Sequence, residues 1–92
     1  MGTATGVKID EHVDRWRVLV HMRYGYKLLF AMGDNDGAEE MAHEHARFII
    51  ERGPYVKDDR GVRTYFPPSA VDKVKVLPPG VQVNETKGGL AP

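Results

Sequence analysis

Cysteine is absent from this chain, and serine and tryptophan occur once each, as Ser69 and Trp16. The missing thiols exclude a disulfide scaffold, a cysteine-ligated zinc or iron–sulfur site, and a thiol nucleophile. The lone serine lies outside any G-x-S-x-G context, so a serine triad has no support. No apolar run approaches the roughly 18–20 residues needed to span a bilayer. The longest, over residues 24–32, is broken by Gly25 and Lys27. Net charge is missing as well: 13 Lys+Arg balance 13 Asp+Glu, which leaves no overall field to draw in nucleic acid or anionic lipid. The first residues carry neither the basic nor the apolar part of a secretory signal. Gly2 is followed by Gly6 where a myristoylation motif wants Ser or Thr. Without a secretory route the sequon Asn84-Glu85-Thr86 has no weight. These absences point to a cytoplasmic protein with no membrane partner.

What is present fits one globular domain. The 92 residues are 41% apolar and 28% charged, ordinary proportions for a soluble fold near the lower end of domain size. Residues 1–14 are small, polar and aperiodic. Residues 79–92 are rich in proline and glycine. Both are expected to be flexible tails around a single domain over 15–78, although Val81-Gln82-Val83 has the composition of a short edge strand.

Residues 16–22 alternate, with Trp16, Val18, Val20 and Met22 on one side, and residues 26–32 repeat the pattern with Tyr26, Leu28, Phe30 and Met32. A three-residue loop, Arg23-Tyr24-Gly25, joins them. Such a loop wants a left-handed third residue, which glycine supplies at little cost. That register opposes Met22 to Tyr26, Val20 to Leu28, Val18 to Phe30 and Trp16 to Met32. A two-residue loop would set Met22 against Lys27 and is rejected.

A 16-residue helix is expected between Asp36 and Gly53. Asp36 with Glu39 resembles a capping box, and Gly53-Pro54 is a stop. At about 100° per residue, Ala38, Met41, Ala42, His45 and Ile49 share a face flanked by Phe48. Tyr55-Val56-Lys57 and residues 62–66, joined by Asp58-Asp59-Arg60-Gly61, form a second hairpin that Pro67-Pro68 ends. Ser69-Ala70-Val71 is a tight turn and Val74-Lys75-Val76 a final strand. The order β-β-α-β-β-β is an α+β fold, one helix packed on a small antiparallel or mixed sheet.

The first hairpin also sets Leu19 opposite Leu29 on its second face, beside Arg17, His21, Lys27 and Ala31. A leucine pair facing away from the helix is either an ordinary exposed couple or is covered, by curling of the sheet or by another subunit. The expectation adopted is a homodimer or larger assembly with Leu19, Leu29 and Ala31 at its interface.

Candidate chemistry is sparse. His43 and His45 lie about 200° apart on a helix and cannot chelate one ion, and Glu39 with His43 offers two ligands where a site needs three or four. His45 sits inside the apolar stripe. It reads first as a core histidine bonded to a carbonyl or tyrosine, and otherwise as a neutral base or pH-sensitive group in a pocket. Asp34-Asn35-Asp36-Gly37 looks like part of a calcium loop, but both ends of the loop fail. No phosphate-cradling glycine motif is present. No catalytic residues, metal or cofactor are implied. The remaining constellation is basic and aromatic: Arg17, His21, Arg23, Tyr24 and Lys27, with Lys57, Arg60 and Arg63 on the second hairpin. Interleaved arginine and tyrosine can stack bases and hold phosphates; the plainer reading is a solvated sheet face.

The strand–Arg23-Tyr24-Gly25–strand layout, then Gly37-Ala38-Glu39-Glu40-Met41-Ala42 opening a helix, then Tyr65-Phe66-Pro67-Pro68-Ser69-Ala70-Val71-Asp72-Lys73-Val74-Lys75-Val76, resembles small uncharacterised α+β proteins of bacteria and their phages. The resemblance covers about residues 15–78 and brings no functional residues with it. Eleven valines against three isoleucines, two asparagines and one serine suit a GC-rich genome such as that of an actinobacterium or its phage. The expected role is a non-enzymatic interaction or regulatory module, for instance a phage accessory protein, that self-associates and binds a protein partner. The alternative is a nucleic-acid-binding module using the basic and aromatic face of the first hairpin.

Overall fold

Alternation in residues 16–22 and 26–32 produces the hairpin around which the rest of the chain is arranged. The computed structural model describes residues 12–33 and 35–83; of the tails expected over 1–14 and 79–92, residues 1–11 and 84–92 lie outside them. Strand β1 (Arg17–Met22) pairs antiparallel with β2 (Lys27–Ala31), setting Val18 against Phe30, Leu19 against Leu29 and Val20 against Leu28. The loop closes as its length requires. The Met22 N–H donates to the Tyr26 carbonyl at 2.8 Å, the Gly25 N–H to the Met22 carbonyl at 3.1 Å, and Gly25 has φ 84°.

The last strand is longer than Val74-Lys75-Val76 alone. It is β5 (Val71–Leu77), and it pairs antiparallel with the other edge of β1, giving the order β2-β1-β5. The register shifts between His21 and Met22. Strands β3 (Tyr55–Lys57) and β4 (Arg63–Tyr65) form a separate two-stranded ribbon. Its turn is held by Asp58, whose Oδ1 accepts from the Arg60 and Val62 N–H groups at 2.9 and 3.0 Å. Pro68–Ala70 forms a short 3-10 turn ahead of β5. Arg23 pins that turn, donating its backbone N–H to the Ala70 carbonyl at 2.9 Å and its Nε to the Ser69 carbonyl at 2.7 Å.

Helix α1 (Ala38–Arg52) begins without the expected capping box. Gly37, left-handed at φ 88°, is the N-cap, and no side chain caps the helix. Asp36 thus stands one position too early for the Asp36–Glu39 spacing to work. The face turned to the sheet is also rotated from the expected one. Ala38, Ala42, Ala46 and Ile49 are buried, whereas Met41 and Phe48 are exposed. Three small residues let the helix lie close to the sheet, and the bulk between them comes from Val18, Val20, Met22, Leu28 and Phe30. The helix stops at Gly53, whose φ is 91° and whose missing Cβ leaves room for the Phe66 carbonyl oxygen.

The second face of the sheet is covered, but by the chain itself. Leu19, Leu29 and Leu77 are buried with Val83, and Val81 packs against them. Each such leucine contributes roughly 1.5–3 kcal/mol by leaving water. The segment expected as a tail from residue 79 is therefore docked as far as Val83, and its Val81-Gln82-Val83 stretch forms no strand. Two ties hold it. The Gly80 N–H donates to the Val13 carbonyl at 2.7 Å. Arg17, fully buried, donates Nη2 to the carbonyls of Pro78 and Val81 at 2.7 and 2.6 Å and Nε to that of Arg15 at 2.8 Å. Leu19 and Leu29 thus belong to the interior, and the interface expected from them is corrected: a leucine with no accessible surface cannot meet a second subunit.

Arg17→Met keeps the apolar stem and removes the donors to these carbonyls. It is expected to cost about 3 kcal/mol in urea unfolding and to speed amide exchange at Gly80. Gly25 and Gly53 separate two kinds of glycine requirement. Gly25→Ala meets open space and carries only left-handed strain of about 1–2 kcal/mol, while Gly53→Ala adds a backbone collision and lowers the melting temperature further.

Candidate functional site

The rotation of α1 has a consequence at the surface. With its alanines against the sheet, Met41, Glu44, His45 and Phe48 centre roughly 100° round the helix axis, beside the end of β2. Met32 and, from β3, Tyr55 complete a groove with them. The groove holds about 420 Å³ and narrows into a recess of about 100 Å³ lined by Phe30 and Ala31. Phe48 is 42% exposed and Met41 47%. The rim is aromatic and cationic: Tyr65 lies 5.3 Å from the Tyr55 ring, the Arg63 guanidinium 5.3 Å from the same ring, and that of Arg52 5.2 Å from Phe48. No ion pair among the described residues engages Arg52 or Arg63.

His45 lies in this groove, as the pocket reading expects, and it is half-buried. Its ring stands edge-on to Phe30 at 5.2 Å and 70°, an aromatic contact in place of the carbonyl or tyrosine partner. Burial lowers its pKa below the ordinary 6.5, so it is neutral at pH 7.

Comparison with protein families, curated proteins and solved structures finds no match.

The residues expected to contact a partner or nucleic acid separate into three groups. Arg17 is interior and committed to backbone carbonyls, so it is withdrawn from that list. Arg23 is exposed but tied to the 3-10 turn through Nε, and Tyr24 stands at the hairpin tip, 76% exposed. His21 and Lys27 are directly paired on the second sheet face. The expected interface residue Ala31 is half-buried beside the groove. On the second hairpin, Arg60 closes on Asp58 at 2.9 Å. Sequence reasoning missed Arg52 and Arg63 as a rim, and Met41 and Phe48 as surface. The signal that could have separated them is the run Ala38, Ala42, Ala46 at four-residue spacing, which defines a closer-packing stripe than the mixed one. No helix among the described residues is long and apolar enough to cross a membrane.

His21 joins His45 in titrating below 6.5, through burial first and then the charges of Lys75, Lys27 and Lys73, with Asp72 opposing. In the unfolded chain both rings titrate near 6.5, so on acidification the unfolded state takes up protons before the folded one. The stability from these rings is fully present above about pH 6.5 and falls as the pH drops below it. Urea midpoints should therefore decrease between about pH 7.5 and about pH 5.5, and His45→Leu should flatten that dependence.

Proposed function

We propose that this chain is a small, cytoplasmic, non-enzymatic interaction module whose groove between α1, β2 and β3 takes a short peptide segment of a protein partner. One observation carries the reading: Met41 and Phe48 from α1 and Tyr55 from β3 stand exposed around a single groove, with half-buried Met32 at its edge, while the helix turns its alanines to the core. Methionine and aromatic side chains with arginine at the margin are the composition of binding hot spots, and contiguous apolar exposure of this kind marks contact sites on small proteins.

Charge selects the occupant. Arg52 beside Phe48 and Arg63 beside Tyr55 stand at the rim in no ion pair with a described carboxylate, and Glu44 lines the groove from the helix. The complementary ligand is a segment with one or two large apolar anchors and an Asp or Glu toward the arginines. Self-association, for which the leucine pair no longer speaks, would have to use this same groove.

Panning a displayed random peptide library on the purified chain tests the reading. Enriched peptides should share an apolar or aromatic anchor next to an acidic residue. Phe48→Glu, at an exposed position, should weaken them by at least about tenfold, 1.4 kcal/mol, with an unchanged circular dichroism spectrum. No enrichment, or binding indifferent to Phe48→Glu, overturns the proposal. So does a concentration-dependent dimer in sedimentation that Phe48→Glu dissociates, since it would give the groove to a second copy.

A further inference from the structure

The sheet face opposite the helix is divided. Its lower part is the leucine cluster under Val81 and Val83. Its upper part, toward the hairpin tip, is a row of three directly opposed residues, Lys27 on β2, His21 on β1 and Lys73 on β5, with Lys75 next to Lys73 on the same face. Strands lie about 4.8 Å apart, so the row spans about 10 Å, within reach of flexible lysine stems. We propose that this row, with Lys75, is a binding site for a phosphate-bearing anion.

Three observations support it. First, the charges are unbalanced where they sit: no ion pair among the described residues engages Lys27, Lys73 or Lys75. Three ammonium groups are thus gathered on one small area, with none of them in an ion pair to a described residue. Second, the imidazole at the centre has an unmet requirement. The Nε2 atom of His21 is buried and has no hydrogen-bond partner. A buried polar atom without a partner is costly and uncommon, and the lysines around it offer donors but no acceptor. Third, the surroundings are set against a protonated ring: burial first, and then Lys75, Lys27 and Lys73, disfavour the imidazolium, and Asp72 alone opposes them. An anion offsets the lysines' share of that balance, so binding and proton uptake by His21 are coupled.

Phosphate is the chemistry that suits several point charges in a row, because its oxygens accept from lysines and imidazole together. A polyphosphate and the backbone of a single-stranded nucleic acid share it. Tyr24 distinguishes the two: it projects from the tip just past the His21–Lys27 pair and offers a stacking surface to a base but nothing to a free phosphate.

The test uses the whole chain, with inorganic tripolyphosphate and a labelled single-stranded oligonucleotide as probes at low salt, and reads affinity together with the His21 titration by NMR. The site predicts saturable binding of tripolyphosphate or of both probes, a His21 pKa that rises on binding, and an affinity loss of at least about tenfold in Lys73→Gln/Lys75→Gln. For a single strand, the log–log salt slope should fall by about 0.7 for each lysine removed. If the oligonucleotide binds more tightly and Tyr24→Ala weakens it alone, nucleic acid is the source of the phosphate; equal affinities and indifference to Tyr24→Ala assign a free phosphate. His21→Gln provides a second variant should the double lysine change disturb the fold. Absence of saturable binding by either probe, or binding that leaves the His21 titration unmoved, overturns the site.

Discussion

The buried guanidinium of Arg17 is the constraint on which the arrangement depends. A charge in the interior is tolerated only where its donors are used, and here backbone carbonyls of Arg15, Pro78 and Val81 take them at 2.8, 2.7 and 2.6 Å. Those acceptors come from the approach to β1 and from the chain beyond β5. One side chain thus ties together the two ends of the described fold. The tie delivers Val81 and Val83 onto Leu19, Leu29 and Leu77. The cover makes β1 a strand buried on both faces and paired on both edges, and it lets a domain with one helix build two small cores. Without it, the leucine cluster would be an open apolar surface of the kind that drives association.

The parts of the fold that rest on local pattern were legible from the sequence. Alternation in residues 16–22 and 26–32, with Gly25 three residues past Met22, leaves one register that keeps the apolar residues together, and Val18–Phe30 and Val20–Leu28 are paired accordingly. Gly53-Pro54 and Pro67-Pro68 are stops for steric reasons that need no tertiary information. The parts that rest on long-range packing were not legible. Arg17 alternates with apolar neighbours and so reads as a solvent-facing residue of a half-buried strand; nothing local says that carbonyls 61 and 64 residues away will receive it. Val81 and Val83 follow Pro78-Pro79-Gly80, which reads as the end of structure. The helix stripe was misassigned because hydrophobicity weights methionine and phenylalanine above alanine. The sheet already supplied the volume, so small residues were what the closest approach needed.

Zero net charge conceals a segregation that only the fold brings out. Lys27, Lys73 and Lys75 are 46 and 48 residues apart along the chain, counted from Lys27, and become neighbours because β2 and β5 flank β1. Arg52 and Arg63 come together at the groove in the same way, through the turn at Gly53 and the ribbon of β3 and β4. Among the described residues the acidic side chains lie mostly on the outer face of α1 and in the turn of the second hairpin, where Glu39 meets His43 at 4.0 Å and Asp58 meets Arg60 at 2.9 Å, while Asp72 stands on β5 near the lysine row. Two positive regions thus lie on opposite sides of the sheet, one apolar and aromatic, the other a row of ammonium groups.

Lysines on the outer strands of a sheet have a simpler use, which is to stop edge-to-edge pairing with other chains. Lys27 and Lys73 stand on β2 and β5, the two edges, and Lys75 joins them on β5. That use accounts for the charges and for their placement, but not for the residue between them. Edge protection asks only for solvated charge, and it is served equally well by a threonine or a leucine at position 21. A histidine there, with a buried and unpartnered Nε2 and with burial and three like charges opposing its protonation, adds a cost that edge protection does not repay. A ligand that carries negative charge offsets the part of that cost that comes from the lysines. His45 is the contrast within the same molecule. It too is kept neutral, but by burial alone, against an aromatic ring in an apolar groove, where a neutral imidazole is one more flat surface for a partner's side chain.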